Sequence, residues 1–208
     1  MSILAFSANA IFYLWFEAFP LVFTDIYHFD LGISGLPFTG FLVSGAITYT
    51  AYALYLMYHL EPRMARAAAE GKQLPPESRL EMGLMASIFI PTSLFMFGWA
   101  SRASVHWIVP IIGAALYLPG IFLSFQSILV YMTFAYPMYT ASVLAGNDLF
   151  RSTLASVFPL FGRRFFVDLG LGPGSSLLAG ISIAMMPVLW SFMKWGHVLR
   201  RKSKYASS

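Results

Sequence analysis

Apolar residues run along this chain in blocks of about twenty, divided by short polar stretches. A helix needs roughly 20 mostly apolar residues to cross the hydrocarbon of a bilayer. The pattern predicts six such helices, at residues 3–24, 37–60, 81–100, 107–132, 138–162 and 175–193. The fourth and fifth are hard to separate, because "TFAYPMYTAS" between them carries no charge. Pro137 marks the break there, since proline cannot continue a helical ladder. "GLGPGSS" (Gly170–Ser176) reads as the loop before the sixth span. It has no preceding strand and no lysine, which excludes a phosphate-binding loop. The expected fold is an all-α membrane protein. A six-helix bundle would fill 1–195, with a loop at 61–80 and a basic tail at 196–208.

Composition supports that reading. Of 208 residues 58% are hydrophobic and 11% charged, against about 25% charged in a soluble domain. Mean hydropathy is +0.70. Charge then suggests an orientation. Nine of the 13 basic residues lie in the 61–80 loop (Arg63, Arg66, Lys72, Arg79) and near the C-terminus (Lys194, Arg200, Arg201, Lys202, Lys204). With six spans these segments share a side with the N-terminus. Arg102, Arg163 and Arg164 fall on the other side, and Arg151 lies inside a span. The positive-inside rule puts both termini in the cytoplasm. The basic tail follows a span directly and has no folded domain around it, so it reads as lipid-surface contact rather than a nucleic-acid site. The chain has no cysteine, which excludes disulfides and thiolate chemistry. Met1 leads straight into an apolar run, so a cleaved signal peptide is not expected.

The polar groups inside the spans are the candidates for function. Glu17 lies about 14 residues into the first span, roughly 21 Å at 1.5 Å per residue. An intramembrane carboxyl is expensive unless paired or hydrated, and marks a proton or substrate path by default. The structural alternative is a carboxyl hydrogen-bonded within the bundle or reaching the surface. Tyr13, Trp15, Phe16 and Phe19 surround it; aromatic faces suit a lipophilic cation and are equally ordinary facing lipid. In "SVLAGNDLFRSTLASVF", Asp148 and Arg151 are three apart and Asn147 and Arg151 four apart, so all three meet on one helical face. A self-paired charge holds helices together, or lines a proton or substrate path; both readings stand. Small residues at 141/145, 142/146 and 152/156 predict close helix contact along the same span. Gln126 and Tyr131 in the fourth span are polar enough to line a cavity. No metalloprotease, hydrolase-elbow or P-loop motif is present, and His28, His59, His106 and His197 are too scattered for a metal site.

Seven segments then resemble a known family. In order they are "YLWFEAFPLVF", "GLPFTG", "LPPESRL", "FGWAS", "HWIVPIIG", "ASVLAGNDLFRS" and "LFGRRFFVDLGLGPGSSLLAG". They are similar to the C-terminal half of fungal major facilitator transporters of the twelve-span drug:proton antiporter kind, which includes polyamine and multidrug exporters. The resemblance implies that the six spans are the seventh to twelfth of a full transporter, arranged as two inverted three-helix repeats. It implies no cofactor beyond the proton as coupling ion. The implied partners are the lipid bilayer, a small-molecule substrate, and a missing N-terminal six-span half or a partner chain. Glu17 would be the acidic residue of the seventh span, and Asn147 and Arg151 part of an eleventh-span signature. Pro159 in "VFPLFG" keeps the family's common form. Members often carry an aspartate before the tyrosine ending the tenth span; here the residues are Phe134-Ala135-Tyr136, so that role does not transfer. The implied function is proton-driven export of small amphipathic or cationic molecules by alternating access, at the plasma membrane or the vacuolar membrane. The alternative is a non-transporting membrane protein, a truncated form or a regulatory partner of intact transporters.

Overall fold

The structure is a computed structural model describing residues 11–14, 17–30, 32–33, 35–71, 80–157 and 159–202; for 154, 155, 159 and 197–202 the backbone alone is considered. All regular structure among these residues is helical. In a bilayer an isolated helix satisfies its own backbone, which an open strand cannot. Helical residues 11–14 and 17–20 form α1, which passes into a π-turn at Leu21–Ile26. The others are α2 (Thr39–Tyr55), α3 (Glu61–Ala69), α4 (Leu80–Ser87), α5 (Phe89–Ala100), α6 (Ile108–Ala115), α7 (Tyr117–Ala135), α8 (Thr140–Ala155), α9 (Pro159–Leu169) and α10 (Leu171–Lys202).

Among the described residues, four helical runs are long and apolar enough to cross a membrane: Leu36–Ala69, Leu80–Ala100, Ile108–Ala135 and Leu171–Gly196. They overlap the second, third, fourth and sixth expected spans. Much of the first expected span lies outside the described residues. The fifth is not one helix. It ends as α8 at Ala155, turns at 156–157, and resumes as α9 from Pro159. Proline lacks the N–H that would continue the ladder and disfavours helix in the residue before it. Two expected loops are also partly helical. The 61–80 segment continues the preceding helix through α3, whose "EPRMARAAA" tolerates proline at its start and is rich in helix formers. Its exposed Arg63 pairs with Glu81 at the start of α4, 3.6 Å away. "GLGPGSS" is not a loop. Gly170 alone takes the left-handed conformation (φ +82°), and Leu171 begins α10. Pro173 falls in the first turn, where a missing N–H costs nothing. Gly98 of α5 meets this turn so closely that a Cβ there would lie 2.4 Å from the Ser175 Cβ. The small residues that look like a loop in sequence are the seat of a tight α5–α10 crossing.

Prolines break the long runs in a regular way. α5 restarts at Phe89 with Pro91 as its third residue, and α7 restarts at Tyr117 with Pro119 as its third. Pro119 cannot donate to the carbonyl of Ala115, four residues back. That carbonyl instead accepts a hydrogen bond from the Ser44 hydroxyl of α2 at 2.6 Å. A neighbouring helix therefore supplies the donor that the proline removed.

The core gathers around α1. Leu14, Ala18, Phe19, Val22 and Phe23 pack with Leu94 and Phe97 of α5, Ala114 of α6, Tyr117 of α7, Phe166 of α9 and Leu178 of α10. Phe19 is the hub, with ring centroids 5.7 Å from Phe97, 4.6 Å from Phe38 and 5.8 Å from Phe41. Beyond the π-turn, Tyr27 reaches into the bend between α5 and α6. Its hydroxyl lies 2.9 Å from the Val105 carbonyl and 3.0 Å from that of Arg102. Burial raises the Tyr27 phenol above its ordinary range, so it stays a donor.

Ser44→Ala leaves the Ala115 carbonyl without a donor and should cost about 1 kcal/mol. Thermal unfolding in detergent checks this. Adding Pro119→Ala restores an N–H to the ladder, so the double variant should lose less than Ser44→Ala alone.

Candidate functional site

Among the described residues of α1, Leu14, Ala18 and Phe19 are buried, whereas Tyr13 and Pro20 are exposed and Glu17 is half-buried on the same face. These positions are four and three apart, the spacing of one helical face. Tyr13 is 41% exposed and Glu17 half-buried. Among the described residues Glu17 makes no hydrogen bond and no ion pair. The stem of Glu17 packs toward α9: a Cβ on Gly162 would lie 3.1 Å from Glu17 Cγ and 3.0 Å from Leu14 Cδ2. Phe16 falls outside the described residues. The geometry is a carboxyl on the open face of an otherwise central helix.

The polar cluster of α8 forms a second site. Arg151 pairs with Asp148. The guanidinium also lies 5.3 Å from the centroid of the Phe125 ring on α7, a cation–π distance. Asn147 is only 4% exposed, and its Oδ1 has no hydrogen-bond partner among the described residues. Val143 and Leu144 pack against Ile128 and Met132 of α7. The helix therefore docks on α7 through 143, 144, 147 and 151. Ala141, Ser142, Ala145, Gly146, Ser152 and Ser156 are exposed instead, and nothing lies within 4 Å of a Cβ placed on Gly146. The small residues expected to make close contact do not make it among the described residues. Larger apolar side chains bury more area and take the docking face.

The remaining two expected residues are separate from both groups. Gln126 lines a small pocket of about 30 Å³ with Tyr52, Tyr55 and Met82, on a different side of α7 from Phe125. Tyr131 is buried with Leu80, Ala135 and Leu189 between α4, α7 and α10. No described hydrogen bond or ion pair joins Glu17 to the Asp148–Arg151 pair.

Sequence reading missed a large hollow. A groove of about 1110 Å³ runs between α2 and α6–α7, walled by Val43, Ile47, Ile111, Ile112 and Leu123 and closed at one end by Phe29 and Trp107. Its hydroxyls are already used. Thr39 donates to Leu36 O, Ser44 to Ala115 O and Thr48 to Ser44 O. No charged side chain lines it. Its only sequence signal is the absence of charged residues from α2.

Comparison with known proteins gives close relatives. Transporter mfs1 of Schizosaccharomyces pombe is 46% identical over 203 residues, covering 95% of this chain and 38% of that protein. Multidrug transporter FLR1 of Candida glabrata is 41% identical over 199 residues, 93% of this chain and 34% of its own length. Major facilitator superfamily multidrug transporter mdrA of Aspergillus fumigatus is 37% identical over 195 residues, 94% and 32% respectively. The chain thus spans about a third of the length of the curated relatives it matches. No family model and no solved structure matches it. The chain is homologous, over nearly all of its length, to a segment of fungal major facilitator multidrug transporters.

The Asp148–Arg151 pair gives a test of its own. Removing one partner leaves the other charge uncompensated. Arg151→Met and Asp148→Asn should each destabilise by about 1 kcal/mol, and the double variant less than their sum. Unfolding midpoints of the three variants measure the coupling.

Proposed function

We infer that a chain homologous to a third of a fungal major facilitator multidrug transporter works as part of one. In this reading it supplies one six-span half, two inverted three-helix repeats, of a proton-coupled exporter. The other half lies elsewhere in a longer protein or in a paired chain. The observation that supports it is Glu17, a carboxyl on the open face of α1 with no described partner, which in this reading lies within the membrane. An ionisable group so placed belongs to a proton or substrate path by default.

Proton and substrate would compete for, or couple through, that carboxyl during alternating access. Tyr13, on the same helical face, offers aromatic surface for a cationic or amphipathic molecule. The groove between α2 and α6–α7 adds an apolar wall that favours the lipophilic part of such a molecule. Asn147, Asp148 and Arg151 serve the path indirectly, by fixing α8 against α7. The protein would sit in the plasma membrane or the vacuolar membrane, both termini cytoplasmic, as the distribution of lysine and arginine favours.

Glu17→Gln in the transporter-length protein should abolish efflux driven by a proton gradient while leaving folded protein at its normal level. Vesicle transport with and without an imposed gradient measures both. Gradient-driven efflux at the unmodified rate would remove Glu17 from the mechanism. A correctly folded transporter-length protein that moves no substrate would favour a regulatory role.

A further inference from the structure

We propose that Gly162 of α9 is a positioning residue for Glu17, acting by leaving room for the stem that carries the carboxyl. The proposal rests on the proton-coupling reading above and adds to it a residue on a different helix. Glycine is unfavourable inside a helix relative to alanine, so a buried glycine there asks for a spatial reason. At Gly146 and Gly180 nothing lies within 4 Å of an added Cβ. At Gly98, Gly113 and Gly120 the added atom would approach backbone of the neighbouring helix: Leu171 O at 2.9 Å, Phe97 N at 2.9 Å and Ile90 N at 3.1 Å. Those three set the distance between helices.

Gly162 differs from both kinds. The atoms a Cβ would meet are Leu14 Cδ2 at 3.0 Å, Glu17 Cγ at 3.1 Å and Glu17 Cβ at 3.4 Å. All are side-chain atoms of α1, and two belong to the carboxylate residue itself. Side chains yield before backbone does, so a substitution at 162 would move the Glu17 stem rather than part the helices. No described hydrogen bond or ion pair holds Glu17. Arg163, Arg164 and Asp168 of α9 are all exposed, and none forms an ion pair with it. The packing of its stem against α9 is therefore the described restraint on where its carboxyl sits.

The test uses Gly162→Ala and Gly162→Leu in the transporter-length protein, each with Glu17 present and with Glu17→Gln. Three quantities are read: folded protein by size-exclusion chromatography, gradient-driven efflux, and substrate exchange without a gradient. With Glu17 present, Gly162→Leu should lower gradient-driven efflux at least about tenfold, as a small misplacement of a reacting group does. Gly162→Ala should lower it less. In the Glu17→Gln background, either Gly162 substitution should leave exchange without a gradient at the level of Glu17→Gln alone, because the carboxyl it positions is already gone. Exchange falling further when Gly162→Leu is added to Glu17→Gln, or efflux keeping its rate in the leucine variant with Glu17 present, would overturn the proposal. If the leucine variant yields no folded protein, the alanine variant decides: efflux reduced with Glu17 present, and exchange unchanged when it is added to Glu17→Gln, supports the proposal, and any other pattern overturns it. Normal gradient-driven efflux in Glu17→Gln alone would defeat the proton-coupling reading itself, which separates the two failures.

Discussion

Hydrocarbon has no hydrogen bonds to offer, and most features of this chain follow from that. Every N–H and C=O within a span must be satisfied by protein. Helices meet the demand locally, so the long apolar runs are helical. Where proline removes an N–H the demand passes to a neighbour, as the Ser44 hydroxyl meets the Ala115 carbonyl. That bond joins α2 to the α6–α7 junction, on a helix that otherwise buries little of its surface. A backbone defect thus becomes a tertiary contact. The trade is local, because a hydroxyl spent on a carbonyl is unavailable to a ligand.

The same constraint separates the two groups of polar residues. Asp148 and Arg151 lie one turn apart and offset each other's charge. Phe125 adds its ring face to the guanidinium. Such an arrangement satisfies itself, and its natural consequence is a fixed angle between α8 and α7. Glu17 has no such arrangement among the described residues. It sits where α1, buried on its other sides by the aromatic cluster around Phe19, turns one face outward. A carboxyl with no partner among the described residues is the better geometry for the proton coupling proposed above.

How much of this was legible in the sequence depends on the kind of signal. Helical runs were legible because hydrophobic length is set by the bilayer. The break at Pro137 was legible because proline's effect is covalent. The start of α10 was not: glycine, proline and serine mark a loop in water, but at a tight helix crossing the same small residues are selected for size, as Gly98 against Ser175 shows. The outward small face of α8 failed for a related reason, since spacing tells which residues share a face but not what lies opposite. Glu17 was legible as an acid within an apolar run. Gly162 was not, because its role depends on a helix almost 150 residues away in sequence.

The apolar groove and the Glu17 face also differ in what they can discriminate. A wall whose hydroxyls are all spent on backbone carbonyls offers dispersion and shape. It has no free donor for a ligand's acceptors, so it distinguishes molecules mainly by bulk and hydrophobicity. An unpaired carboxyl favours positive charge or a proton and rejects anions. In the proposed exporter, tolerance would then come from the groove and coupling from the acid. The separation matters physically, since a single site rich in fixed hydrogen bonds would gain selectivity at the expense of breadth. Ser44 lies at the junction of the two demands. It lines the groove, yet its proton is committed to Ala115, which keeps the groove wall apolar and the broken helix intact with one bond.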